Sequence, residues 1–161
     1  MTSLRFHLAR VRLAQISLAH FGVALFALLI LISAQVLAHS GATGVVKQRM
    51  DRFTESQASM KAIASAFKSG QLEVVADHAD RIMIWSVQMV DLFPEGSNPA
   101  PSEALDAIWK KPADFAAAAD VSADAAARLK ALAQAGDAAA AKNAFRELAA
   151  SCSSCHRSFR K

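Results

Sequence analysis

The sequence predicts an all-α protein, an up-down-up-down bundle of four antiparallel helices. After about residue 43 the chain is rich in Ala, with Leu, Met, Lys, Glu and Gln in support, and it contains no Tyr. This composition favours helix. Four segments repeat apolar residues at three- and four-residue steps, which is the spacing of one helix face. No stretch alternates apolar and polar residues for long enough to indicate a strand.

Residues 1–38 have the pattern of a secretory signal peptide. The first part is basic and free of acidic residues, and its cationic side chains are Arg5, Arg10 and Arg12. The apolar run 21–32 follows, and the segment ends in small residues of the kind that a signal peptidase reads, so we expect cleavage after Ala38. An uncleaved membrane anchor is the alternative, which the short apolar length disfavours.

Export of this kind would place residues 39–161 in the periplasm as one four-helix domain, with no membrane attachment after cleavage. The chain has 18 basic and 14 acidic side chains, and much of the excess lies in the leader. The charges of the remainder are nearly balanced and spread out, so nucleic-acid binding gets little support.

The first two predicted helices are separated by a glycine and followed by a long loop. The first runs from about 43 to 68 and ends before Gly70. One face of it, apolar except for Gln57, consists of Val46, Met50, Phe53, Gln57, Met60, Ala64 and Phe67. The second runs from about 72 to 92, and its stripe is Val75, His78, Ile82, Trp85, Met89 and Leu92. Residues 94–102, with three prolines, form the one long loop.

The third and fourth predicted helices follow a short turn over residues 103–110. The third begins at Pro112, a residue suited to the first helical position. Gly136 ends it, and Asp137 is placed to cap the fourth helix, which runs to about Phe159. Because most connections are short, we expect neighbouring helices to be antiparallel.

The fourth predicted helix carries the most specific motif, Cys152-Ser153-Ser154-Cys155-His156, which contains the only two cysteines of the chain. C-x-x-C-H is the attachment signature of a c-type haem. Two cysteines three residues apart face the same way on a helix, so both can bond one porphyrin edge. His156 then lies one turn after Cys152 and can bind the iron.

The motif therefore predicts one haem c, covalently held by Cys152 and Cys155, with His156 as its metal ligand. A bundle with so few large aliphatic residues is weakly stabilised by its own burial, so we expect the haem to form much of the core. A thiol–disulfide pair is the alternative, but this pair lies near a helix C-terminus, where the helix dipole disfavours a thiolate.

The other histidines are weaker candidates for the iron. His7 and His20 lie in the leader, and His39 lies at the expected new terminus. His78 lies in the second predicted helix, where a single histidine is more often a packed or surface residue than a ligand.

Three further motifs accompany C-x-x-C-H. The first predicted helix opens with Val46-Lys47-Gln48-Arg49, the third is preceded by Ile108-Trp109 and contains Phe115, and the haem motif continues to Phe159 and Arg160. Over about residues 44–161 this set resembles the class II cytochromes c, and cytochrome c′ in particular. Phe159 stands where the family commonly has Tyr.

The resemblance implies roles for individual residues at the haem. Arg49 would lie near a haem propionate, Phe53 would cap the distal face, and Arg160 would flank His156, the proximal ligand. Read without the resemblance, Arg49 could be a solvated helix charge, and Phe53 could be plain core packing.

The residue opposite His156 decides the coordination of the iron. Phe53 cannot bind a metal, whereas Met50 lies about one turn earlier on the helix and Met60 about 10 Å further along it. We therefore expect five-coordinate, high-spin iron that binds small diatomic gases such as NO and CO, transfers single electrons, or does both. The alternative is six-coordinate, low-spin iron with a His and a Met ligand, acting purely as an electron carrier.

Enzymatic chemistry is not expected, because no distal acid–base pair for O–O cleavage is evident. The expected partners are the diatomic gases and an unidentified periplasmic redox protein. The resemblance also implies a homodimer through the first two helices.

Overall fold

The computed structural model describes residues 41–161. Its long helices are α1 (Gly44–Ser69), α2 (Leu72–Gln88), α3 (Pro112–Gln134) and α4 (Ala138–Phe159). A 3₁₀ turn (Met89–Leu92) extends α2, and a single helical turn (Ala107–Lys110) precedes α3. The described residues contain no named strand, only an isolated bridge between Ala104 and Arg160. The predicted all-α class is confirmed.

The helix ends follow the local sequence closely. Gly70 ends α1 in the left-handed conformation, with a φ of 72° that favours glycine. Pro112 occupies the start of α3. The side chain of Asp137 accepts a hydrogen bond of 2.9 Å from the backbone N–H of Ala140 and so caps α4. The second helix differs from the prediction, since its last turn is 3₁₀ rather than α-helical.

The proposed signal peptide, residues 1–38, lies outside the described residues, as do His7, His20 and His39. Within residues 41–161, no helix is both long enough and apolar enough to cross a membrane.

The helices pack in chain order around two apolar clusters. Helix α2 packs against α1 and α3, and α3 packs against α4, whereas the backbones of α1 and α4 approach closely at few points. The alanine-rich core consists of Ile63, Ala66, Val75, Ala76, Ala79, Ile82, Ala126, Leu129, Ala133, Ala141, Ala144 and Leu148. Small side chains there allow the helices to come close together.

The second cluster, which we call the aromatic cluster, contains much larger side chains. Its buried members are Trp85, Met89, Ile108, Phe115, Ala119 and Phe159, and Phe53, Leu92, Phe93 and Cys155 are among the partly buried residues packed against it. This cluster brings residues of α1 and α4 together.

The end of α4 is tied to the segment that precedes α3. The backbone N–H of Leu105 donates to the carbonyl of Phe159 at 3.0 Å, and that of Lys161 donates to the carbonyl of Glu103 at 2.9 Å. The Nε of Arg160 donates to the Glu103 carboxylate at 2.7 Å. These contacts fix the last turn of the helix that carries the C-x-x-C-H motif.

Candidate haem site

Cys152 and Cys155 lie in the last turns of α4 as free, partly buried thiols. Cys152 packs against the alanine-rich core and Cys155 against the aromatic cluster. Burial raises the pKa of both thiols, and the charge of Cys152 raises the pKa of Cys155 further. Reactive redox thiols need a lowered pKa, so these surroundings disfavour the alternative of a thiol–disulfide pair.

The ring of His156 faces α1 from the last turns of α4. Partial burial lowers its pKa, and the positive charge of Arg160 lowers the pKa further. Both effects favour the neutral imidazole, which is the form that binds iron.

Phe53 lies directly across the α1–α4 gap from His156. Their ring centroids are 6.2 Å apart, with the ring planes at 69°. A flat ring in van der Waals contact on both faces needs about 7 Å between its neighbours. Phe53 and His156 would therefore have to move apart to admit a porphyrin between them, and each would then lie on its own side of that group.

Trp85 supplies a second sign that the site suits a cofactor. Its ring is 4% exposed and meets Phe53 edge-on at 5.2 Å. Its indole N–H is buried and has no hydrogen-bond partner within the described residues, which costs about 1–3 kcal/mol. The other tryptophan, Trp109, donates to the carbonyls of Phe93 and Pro94 at 3.0 Å. A cofactor that brings an acceptor near Trp85 would remove this cost.

The sequence pattern places Trp85 in an apolar stripe and gives no sign that its indole N–H lacks a partner. Periodicity shows that a side chain faces inward, but it cannot show that a polar atom there lacks a partner. The indole N–H of Trp109 finds its acceptors, the carbonyls of Phe93 and Pro94, in a folded loop. Local sequence patterns do not predict such contacts.

Arg49 is buried, with 3% exposure, so the interpretation as a solvated helix charge is wrong. Its side chain donates hydrogen bonds to Leu92, Ser97 and Ser102. These bonds use both terminal nitrogens and leave the Nε–H for any further acceptor. Proximity to a haem propionate, which the resemblance implies, stays a prediction and would have to use that remaining donor.

Arg160 lies close enough to His156 for its charge to lower the histidine pKa. Its own side chain pairs with Glu103. Phe53 on α1 thus faces His156 in the last turns of α4. Cys152 and Cys155 lie in the same turns, and Arg160 directly follows them.

Two other ligand candidates, Met60 and His78, lie elsewhere. Met60 packs against the alanine-rich core rather than the aromatic cluster. The Nδ1 of His78 is 3.2 Å from the hydroxyl of Ser59, a contact that joins α2 to α1. Neither residue packs with Phe53 and His156.

A family comparison now identifies this arrangement. A sequence model of the family described as cytochrome C′ matches residues 44–160. The chain belongs to the cytochrome c′ family. Cytochromes c′ bind one covalent haem c, and the two cysteines of the chain are consistent with that cofactor.

Individual relatives agree with this assignment. The chain is 38% identical to cytochrome c′ of Pararhodospirillum photometricum over 120 residues, which cover 72% of this chain and 95% of that one. It is 42% identical to a cytochrome c-554 of Cereibacter sphaeroides over 93 residues, which cover 55% of this chain and 69% of that one. The crystal structure of cytochrome c′ from Rubrivivax gelatinosus superposes with a TM-score of 0.63 at 28% identity, covering 70% of this chain and 91% of that one. The predicted family and its four-helix bundle are confirmed.

The two cysteines can be tested as haem anchors by substitution. If both form thioethers, the haem of the wild-type protein resists extraction with acidified organic solvent. The single variants Cys152→Ala and Cys155→Ala should keep one bond and show a red-shifted pyridine haemochrome band. The double variant should keep no covalent haem.

Ser154→Ala is the matched control, because Ser154 is exposed in the same turn of α4. It should behave as the wild type does. Covalent haem that persists in the double variant would contradict the assignment of both anchors.

Proposed function

We propose that this protein is an exported haem c protein with five-coordinate, high-spin iron that binds NO and CO and exchanges single electrons. Haem c, when bound, would supply an iron that changes between the ferric and ferrous states and can bind a small molecule. The observation that carries the proposal is the ring of Phe53 opposite His156, since a hydrocarbon side chain with no metal-binding atom faces the imidazole there.

His156 holds the metal on one side in this proposal, and Cys152 and Cys155 hold the porphyrin edge. The neutral state of His156, favoured by burial and by Arg160, keeps its nitrogen available for the iron. Arg160, fixed by Glu103, in turn keeps the last turn of α4 in place.

The distal side is apolar in this proposal. Phe53 contacts the rings of Trp85 and Phe93, so an entering gas meets aromatic carbon rather than an acid or a base. Small uncharged molecules such as NO and CO can enter an apolar site, whereas cleavage of an O–O bond needs acidic or basic groups that transfer protons. This supports a binding and electron-exchange role over an enzymatic one.

A related structure is consistent with gas binding. A cytochrome c′ variant from Alcaligenes xylosoxidans was solved as a nitric oxide complex, and it superposes on this chain with a TM-score of 0.65 at 24% identity. That likeness shows the fold alone, so the proposed gas site depends on Phe53 and His156 of this chain.

Electron exchange is supported by the surroundings of Cys155. This residue lines a surface groove of about 320 Å³ together with Lys111, Val121 and Phe159. A porphyrin edge bonded to Cys155 would lie next to this groove and near solvent, where a redox protein can approach it.

Phe53→Ala tests the distal role. Pushing an aromatic ring off its preferred rotamer costs about 0.5–1.5 kcal/mol, so removing the ring should speed CO association with the ferrous protein by roughly tenfold. Flash photolysis measures this rate directly.

Phe67→Ala is the matched control, since Phe67 is also a partly buried phenylalanine of α1 but packs against Phe145 next to the alanine-rich core. Its CO association rate should equal that of the wild type. Equal rates in Phe53→Ala and Phe67→Ala would show that Phe53 does not control access.

Export and self-association belong to the same proposal. We infer cleavage after Ala38 from the leader, and a homodimer from the apolar surface of α2, where Ile84 and Val87 are 46% and 66% exposed. Native mass spectrometry of the periplasmic protein should find two chains that begin at His39, each with one haem. A monomer would contradict the proposed homodimer. A chain that retains residues 1–38 would contradict the proposed cleavage after Ala38.

A further inference from the structure

Arg49 is a buried cation that contacts one long segment of the chain. One terminal nitrogen donates to the carbonyl of Leu92 at 3.3 Å and to the hydroxyl of Ser97 at 2.8 Å. The other donates to the carbonyl of Ser97 and, at 2.7 Å, to the hydroxyl of Ser102. These bonds attach residues 92–102, which we call the clamped loop, to α1.

These hydrogen bonds offset the free-energy cost of burying the Arg49 charge, and so they favour the observed position of the loop. Within the described residues Arg49 has no carboxylate partner, and burial lowers the pKa of its guanidinium. A buried charge must be compensated by hydrogen bonds, and here the loop oxygens compensate it. The ring of Phe93 adds a cation–π contact, with the guanidinium carbon 4.4 Å from its centroid.

Phe93 links the clamped loop to the distal residue. Its ring packs edge-on against Phe115 at 4.9 Å and against Phe53 at 6.5 Å. Phe53 lies one helical turn after Arg49. The ring that faces His156 is therefore held between its own helix and a loop whose position depends on Arg49.

We propose that Arg49 is a positioning residue that holds the clamped loop and Phe93 against Phe53 and so limits the access of gases to the distal face. This rests on the proposed function. It differs from a role as a propionate partner, because the Ser97 and Ser102 hydroxyls are essential to a clamp and irrelevant to a propionate contact.

The test uses the haem-loaded protein, the variants Arg49→Met, Ser97→Ala and Ser102→Ala, and two measurements. Hydrogen exchange reports on the loop, where the amides of Ser97 and Ser102 donate to the carbonyls of Pro94 and Pro99. Flash photolysis gives the CO association rate. Losing one bond to a charged group should speed exchange of these amides roughly tenfold.

The same variants should speed CO association about threefold or more. The serine variants keep Arg49 and its charge, so they separate a clamp from a propionate contact even if Arg49→Met fails to take up haem. Arg52→Met is the control, because Arg52 lies on the same helix but is exposed and pairs only with Glu55 within the described residues.

Two results would overturn the proposal. Unchanged loop exchange in both serine variants would show that Arg49 does not clamp the loop. Faster exchange with an unchanged CO rate would show that the loop does not control access. Loop exchange can be measured whether or not the wild-type protein binds gas, so a failure of the proposed function remains distinguishable.

Discussion

The approach of Phe53 and His156 across the α1–α4 gap is the contact on which the rest of the site depends. Their ring centroids are 6.2 Å apart, while the two helix backbones approach closely at few points. The gap is therefore spanned by two rings rather than closed by backbone packing. On one side of the gap lies the imidazole of His156, and on the other lies the hydrocarbon ring of Phe53.

The surroundings support this contact from both sides. On the α4 side, Glu103 holds Arg160, and the cation lowers the pKa of His156. On the α1 side, Trp85 and Phe93 pack against Phe53. Trp85, Phe93 and Phe115 belong to the aromatic cluster beside the last turns of α4, whereas Phe67 and Phe145 pack against the alanine-rich core.

Much of the fold and of the proximal side could be predicted from the sequence, because both depend on local patterns. Gly70 and Asp137 mark helix ends through their own backbone and side-chain chemistry, and C-x-x-C-H is contiguous. The position of Phe53 was predicted through the family resemblance and not from spacing. The contacts of Arg49 were beyond prediction, because they join residues 43 to 53 positions apart through a loop without periodicity.

We propose that Phe53 leaves the haem iron of this protein without a protein ligand opposite His156. Electron paramagnetic resonance of the ferric protein at neutral pH tests it most directly. We expect a high-spin signal from five-coordinate iron. A low-spin signal, with a methionine-to-iron charge-transfer band in the optical spectrum, would contradict it.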